Sequence, residues 1–332
     1  MRRTLLFSLL FLFVLLGLSV IAALCIGEIR YTPAELWQLM REGSEEDVRF
    51  NILMQLRIPR IVLGFVAGGA LSLSGVILQG IFRNPLVEPY TLGISGGASV
   101  GVTLAILLGW HTLHGGIALS LAGFLGALIT ILMVYSLGIR HGRVQIQTLL
   151  LTGVMISFIS SSLMLLMMSV SKTENLHGIV FWIMGSLSDN NPSLIVLLAV
   201  ATLLAFGLSY LHSPSLNAMR LGSERAMQLG VNTGRVIKLL FVLSSLLTGI
   251  CVSIVGVIGF VGLIVPQLMR SLIGTDNRLL LPSAFLGGGI FLIVSDIVAR
   301  TIISPNELPI GVITGIIGGT VFILVMGKRK KE

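Results

Sequence analysis

The chain has 332 residues, of which 55% are hydrophobic and 11% charged. Soluble domains carry roughly 25% charged residues, so these proportions exclude an ordinary soluble fold and identify an integral membrane protein. The net charge of +8 is read below as a topology signal, so a nucleic-acid partner is not required.

Ten apolar runs follow one another at about 4–26, 61–82, 91–109, 115–138, 146–168, 193–211, 236–255, 258–271, 280–302 and 309–327. Most approach the ~20 residues that cross a hydrocarbon core as a helix. Strand-like alternation is absent, and backbone in lipid must satisfy its own polar groups. The expected fold is therefore all-α, one transmembrane domain over residues 1–332. The first run follows Arg2 and Arg3 and resembles a signal peptide. It is longer than an h-region of about 7–15 residues, and Leu24 before Cys25 is a poor cleavage site, so it is read as a retained span. Cys25 and Cys251 lie in apolar runs and imply neither a disulfide nor a metal site.

Arg57 and Arg60 stand at the start of the second run. Between the second and third lies "RNPLVEPYTLGISGGASVG" (83–101). Pro85 and Pro89 push their predecessors out of the α region, while Gly93, Gly96 and Gly97 allow close backbone contact. This is either a plain turn or irregular backbone covered by protein. The fifth run carries Thr148, Thr152, Ser157, Ser160, Ser161 and Ser162 among aliphatics, and Met164, Met167 and Met168, either a soft-metal or haem contact or, as a Met-rich helix face more often is, packing. Segment 212–235 reads as two short amphipathic helices, which alone could lie on a membrane surface. Asp296 and Arg300, at i and i+4, form either a mutual ion pair or a partner site at Arg300. The acidic run Glu45, Glu46, Asp47 is the local alternative for Arg57 and Arg60.

With the N-terminus inside, inner segments hold Arg2, Arg3, Arg83, Arg140, Arg143, Arg220, Arg225, Arg235, Lys238, Arg270, Arg278, Lys328, Arg329, Lys330 and Lys331 of the 22 basic residues. The positive-inside rule then places both termini in the cytoplasm. Five spans plus five imply halves in opposite orientation, although "GVILQGIFRNPL" and "GVIGFVGLIVPQ" share little. His111, His114, His141, His177 and His212 form no ligand cluster. HExxH and Walker A motifs are absent, and "GKRK" (327–330) follows no glycine-rich loop. No catalytic, metal or cofactor residue is expected, and ATP chemistry must come from another chain. Carboxylates inside spans are nearly lacking, which disfavours ion-coupled carriage.

Several ordered motifs resemble the FecCD-type permeases, membrane subunits of ABC importers for ferric siderophores, haem and cobalamin. They are "RIPR" (57–60), "GALSLSG" (69–75), "NPLVEPYTLGISGGA" (84–98), "WIMGSL" (182–187), "LNAMRLGSERAMQLGVN" (216–232), "GVIGFVGLIVPQ" (256–267), "DNRLLLP" (276–282) and "ELPIGVITG" (307–315). Gln267, Gly315 and Thr320 depart from the family's usual His, Ala and Pro.

The resemblance implies a type II ABC importer permease of the inner membrane. It would work with two ABC ATPase subunits that bind ATP and magnesium, a periplasmic or lipid-anchored binding protein, and a second permease copy, identical or paralogous. It assigns docking of the binding protein to Arg57, Arg60 and Arg300, and a cytoplasmic gate to Asn84, Leu86, Ile146 and Gln147. ATPase coupling falls to Leu216, Asn217, Leu221, Gly222, Ala226, Leu229, Gly230 and Val231. The pathway would be lined from spans five and ten by Thr148, Thr152, Ser157, Ser160, Gly311 and Thr314. Ferric siderophore is the favoured cargo, with haem and cobalamin as alternatives. A secondary carrier or channel without an ATPase is the competing function.

Overall fold

Where the sequence is continuously apolar the chain is helical, because intrahelical bonds alone satisfy backbone groups in lipid. The computed structural model describes residues 2–44, 46–140, 143–189, 191–303 and 306–329. Glu45, His141, Lys330 and Lys331 lie outside the described residues. The order is α1 (Arg2–Cys25), α2 (Pro33–Glu42), α3 (Val48–Asn51), a π-helical stretch (Ile52–Arg57) and α4 (Ile58–Phe82). A 3-10 turn (Pro89–Leu92) precedes α5 (Ile94–Leu107) and α6 (Trp110–Gly138). A two-residue antiparallel ladder pairs Ile139–Arg140 with Arg143–Val144. Then come α7 (Ile146–Ser169), α8 (Thr173–Ile183), α9 (Pro192–Leu211), α10 (Ser213–Met219) and α11 (Ser223–Gln228). The chain continues with α12 (Thr233–Val255), α13 (Val261–Ile273), α14 (Asn277–Thr301) and α15 (Ile310–Arg329).

Seven helices are long and apolar enough to cross a membrane, and α5, α13 and Ile310–Leu324 of α15 are shorter apolar helices. Together they fall on the ten expected runs. Two connections hold more structure than expected: α2 and α3 fold within 27–60, and α8 within 169–192. Thr32 and Glu35 close a reciprocal capping box on α2.

The centre is α4, 89% of whose apolar stretch is buried. It packs on α12, α13 and α14. A Cβ on Gly68 would lie 2.2 Å from Gly288 O, and one on Gly288 2.2 Å from Gly68 O. One turn away, Phe65 and Phe285 meet edge to face at 5.3 Å, each against the other helix's glycine, Gly289 and Gly69. Small residues on facing surfaces let backbones touch, the usual basis of helix association in lipid.

Helix pairs recur when the halves are exchanged. The contact of α5 with α6 matches α13 with α14, α6 with α7 matches α14 with α15, and α4 with α14 matches α12 with α6. The α4–α12 pair maps onto itself. The bundle is thus two five-helix halves, with α1, α4, α5, α6 and α7 in the first and α9, α12, α13, α14 and α15 in the second. An odd helix number gives them opposite orientation.

Candidate functional site

One end of the bundle gathers three arginines. Arg57, 5% exposed, ends the π-helical stretch, donates to the carbonyls of Leu24 and Ile29, and lies 4.5 Å over the Tyr31 ring. Gly27 makes this possible, since a Cβ there would meet Arg57 Nη2 at 2.7 Å. Arg60 reaches Asp296 through Nε at 2.9 Å, and its Nη1 donates to both Glu307 oxygens at 2.9 and 2.8 Å. Arg300 Nε is 3.0 Å from Asp296 Oδ2. Arg57, Arg60, Arg300 and Glu307, with Glu28 and Ser188, line a cavity of about 350 Å³. Its one buried, unpartnered nitrogen among the described residues is Arg300 Nη2.

The expected local pairings are therefore corrected in part. Arg300 pairs with Asp296 as its spacing allows. Arg60 takes Asp296 and Glu307 rather than the acidic run, and Arg57 takes main-chain oxygens. Asp47 instead caps α3 through the Arg49 N–H at 2.8 Å.

At the opposite end, α4 stops at Arg83, which adopts φ 49°. Asn84 Oδ1 accepts from Leu86 N at 3.0 Å, turning the chain and leaving Leu86 exposed. The following backbone runs back among the helices. The Tyr90 hydroxyl donates to Ile258 O at 2.8 Å and accepts from Ile258 N at 3.1 Å, which ties the approach to α5 to the approach to α13. Gly262 packs under Pro89, and a Cβ on Gly75 would lie 1.9 Å from Gly262 O. Both α5 and α13 start in the interior for this reason, and at 14 and 13 residues each is only about 20 Å long. The irregular backbone is covered by protein, as lipid requires. Glu88 is half-buried here, beside the Phe260 N–H, with its Oε2 buried and unpartnered. Its place between Val87 and Pro89 in a turn sequence carries no signal of an interior carboxylate.

Of the other expected gate residues, Ile146 is half-buried and Gln147 exposed at the start of α7. That helix packs on the 3-10 turn, with Gly153 against Leu92 and Ser160 against Gly96. Thr148, Thr152 and Ser157 are half-buried. Ser160 and Thr314 are buried within the chain, and Gly311 sits against Met184 O and Val257 O. Ser160 and Thr314 thus face their own bundle, and Gly311 is half-buried.

In segment 212–235, Leu216 is buried beside Gly80. Asn217 Nδ2 donates to Asp276 Oδ1 at 2.6 Å, and its Oδ1 accepts from Asn277 N at 2.9 Å. Ala226 is buried as well. These three fasten α10 and α11 to the bundle instead of facing outward. The outward surface is Leu221, Met227, Leu229 and Gly230, with Gly222 and Val231 half-buried. Gly222 and Gly230 adopt φ 109° and 83°, values that only glycine takes without strain.

A family model described as the FecCD transport family matches residues 14–328. The chain belongs to the FecCD transport family. This FecCD chain is 35% identical over 325 residues to the hemin transport system permease protein HmuU of Yersinia pestis, covering 97% of this chain and 96% of that one. It is 37% identical over 325 residues to the vitamin B12 import system permease protein BtuC of Salmonella schwarzengrund, covering 97% and 95%. The ABC transporter permease protein YvrB of Bacillus subtilis is 40% identical over 292 residues, 87% and 82% of the two chains. A solved inward-facing metal-chelate-type ABC transporter superposes with TM-score 0.84 at 33% identity, covering 98% of this chain and 99% of that one. The architecture is that of a type II ABC importer permease.

The departures of this FecCD chain from the usual motif residues have simple settings. Gln267 is buried near Arg270. A Cβ on Gly315 would meet nothing within 4 Å among the described residues, so a methyl group there meets no intrachain clash. Thr320 donates its hydroxyl to Ile316 O at 2.8 Å, and α15 runs on without a proline.

Proposed function

We propose that the chain is the membrane-spanning permease of a binding-protein-dependent ABC importer that carries a large metal chelate inward across the cytoplasmic membrane. The end-to-end likeness to a metal-chelate-type ABC transporter carries this reading. Relatives named for hemin and vitamin B12 support a chelate of that size. A ferric siderophore belongs to the same class and is the first cargo to test. ATP hydrolysis belongs to a pair of separate ATPase subunits, and a second permease copy completes the pathway.

The end bearing α10 and α11 is cytoplasmic, as are both termini, following the basic residues. Leu221, Leu229 and Gly230 meet the ATPase. Asn84 and Leu86, with Ile146 and Gln147, close the inner mouth, and the half-buried hydroxyls Thr148, Thr152 and Ser157 face the pathway. At the outer end, the cavity around Arg300 receives an acidic side chain of the binding protein, with Arg57 and Arg60 as its walls. A guanidinium fork suits a carboxylate.

The test is reconstitution in proteoliposomes with the cognate ATPase and binding protein. ATP-dependent accumulation of one chelate among ferric siderophore, haem and cobalamin is expected. Uptake driven by an ion gradient without the ATPase would replace this reading with a secondary carrier.

A further inference from the structure

At the α11 end, a cavity of about 260 Å³ opens among the last turns of α4 and α13, the 83–85 turn, α10 and the start of α14. Arg83, Arg220 and Arg270 all line it, and no carboxylate is among its lining residues. Its floor is polar and built: Gln79 and Gln267 are 4% exposed and Asn277 3%. Arg270 Nη1 donates to Gln79 Oε1 and lies 3.4 Å from Gln267 Oε1. Gln79 is itself fixed by donating to Gly262 O at 3.1 Å. Arg220 Nη1 donates to Thr275 O at 2.6 Å. The Arg220 partner is neutral and orients that guanidinium without cancelling its charge. Arg83 holds the left-handed region at φ 49°, an uncommon conformation for a residue with a side chain. Its guanidinium lies 3.7 Å from the position a Gly222 Cβ would take, and it makes no hydrogen bond or ion pair among the described residues. The neighbouring acid, Asp276, is already engaged by Asn217 Nδ2 at 2.6 Å and Arg278 N at 3.0 Å.

We propose that this cavity is an oxyanion site for a phosphate-bearing ligand, either an anionic phospholipid headgroup or free phosphate. The guanidinium groups of Arg83 and Arg220 at one cavity match the charge and several oxygens of a phosphoryl group, which arginine forks recognise. A single carboxylate offers two oxygens and one charge. The cavity lies at the end of the bundle that carries α10 and α11. The inference is independent of which cargo the protein carries.

The full-length chain, delipidated in neutral detergent, is titrated with inorganic phosphate against chloride at equal ionic strength, then with phosphatidylglycerol against phosphatidylcholine. Thermal midpoint and native mass spectrometry are the readouts. Stabilisation by phosphatidylglycerol alone assigns the site to lipid, and stabilisation by both phosphate and phosphatidylglycerol assigns it to the phosphoryl group itself. Arg83→Gln should leave the ligand-free midpoint unchanged, because its side chain is exposed, and weaken binding about tenfold, the scale of one charged hydrogen bond. Arg83→Lys should recover part of that loss, and Arg83→Gln with Arg220→Gln should abolish it. Equal midpoints in phosphate, phosphatidylglycerol and chloride would overturn the proposal, as would unchanged affinity in the double variant. If a thiol at Arg83→Cys is protected from labelling by the docked ATPase but by neither phosphate nor phosphatidylglycerol, the cavity is a protein contact and the proposal fails.

Discussion

Asp296 lies between two guanidinium groups, with Arg60 on one oxygen and Arg300 on the other. Its side chain is 4% exposed. Removing one member of a buried ionic cluster leaves uncompensated charge and typically costs about 3–5 kcal/mol. Asp296→Ala should therefore lower the thermal midpoint sharply, as followed by gel filtration of heated detergent extracts, while Asp47→Ala, at an exposed cap, should cost about 1 kcal/mol. Equal midpoints for the two variants would reject the cluster's structural weight. Reversing Arg57, Arg60 and Arg300 together to Glu would place carboxylates against Asp296 and Glu307, so that combination reports on folding before docking. The sequence disclosed the Asp296–Arg300 pair because one helical turn separates them. It could not disclose Arg60 with Glu307, 247 positions apart, or Arg57 with main-chain carbonyls, which carry no side-chain signature.

At the scale of elements, the apolar runs made the spans legible, and the prolines and glycines of 84–97 marked an interruption. The depth of that interruption was not legible, because it depends on Tyr90 reaching Ile258 and on Gly75 meeting Gly262. Likewise, segment 212–235 announced two amphipathic helices, but which of their apolar residues are anchors depended on α4 and α14. Leu216 and Ala226 are anchors, whereas Leu221 is 58% exposed. Leu221→Asp should thus fold normally and uncouple ATP hydrolysis from transport in the reconstituted complex. Gly230→Pro should uncouple it too, since proline cannot adopt a φ of 83°. Leu216→Asp should instead abolish expression, as it buries a charge against Gly80. Normal coupling in a well-expressed Leu221→Asp protein would remove the turn between α10 and α11 from the proposed ATPase contact. Gly75→Leu gives a purely structural control: with Gly262 O 1.9 Å from any Cβ, overpacking should separate α4 from α13 and prevent a folded peak.

For the whole molecule, the exchanged helix pairs leave α4 and α12 central and α7 largely uncovered, with Leu151, Phe158, Ile159 and Leu165 exposed. Among the described residues, Leu86 at the opposite end from Arg57 is left exposed. An importer built from two such chains needs an inner mouth that closes between them, and the proposed gate places Asn84 and Leu86 there. The Asn84 carbonyl oxygen is committed to Leu86 N, which fixes the turn and leaves the amide nitrogen to point away from it. A disulfide needs Cβ atoms about 3.5–4.5 Å apart, so it reports a closed mouth and fails for an open one. Cys25 and Cys251 would first be replaced by Ser and Ala. Cys251 is buried 3.8 Å from Ala67 O, and alanine there removes only a small volume. Asn84→Cys should then crosslink between copies under oxidising conditions in one nucleotide state and not in another, when the purified complex is cycled through nucleotide-free, ATP-bound and vanadate-trapped forms. Leu86→Ala, added to the cysteine-free background, should raise passive leak of the cargo in the nucleotide-free complex. Absence of the crosslink in every state would place Asn84 away from the dimer axis, and the 84–88 turn would then serve only to deliver Tyr90 to Ile258.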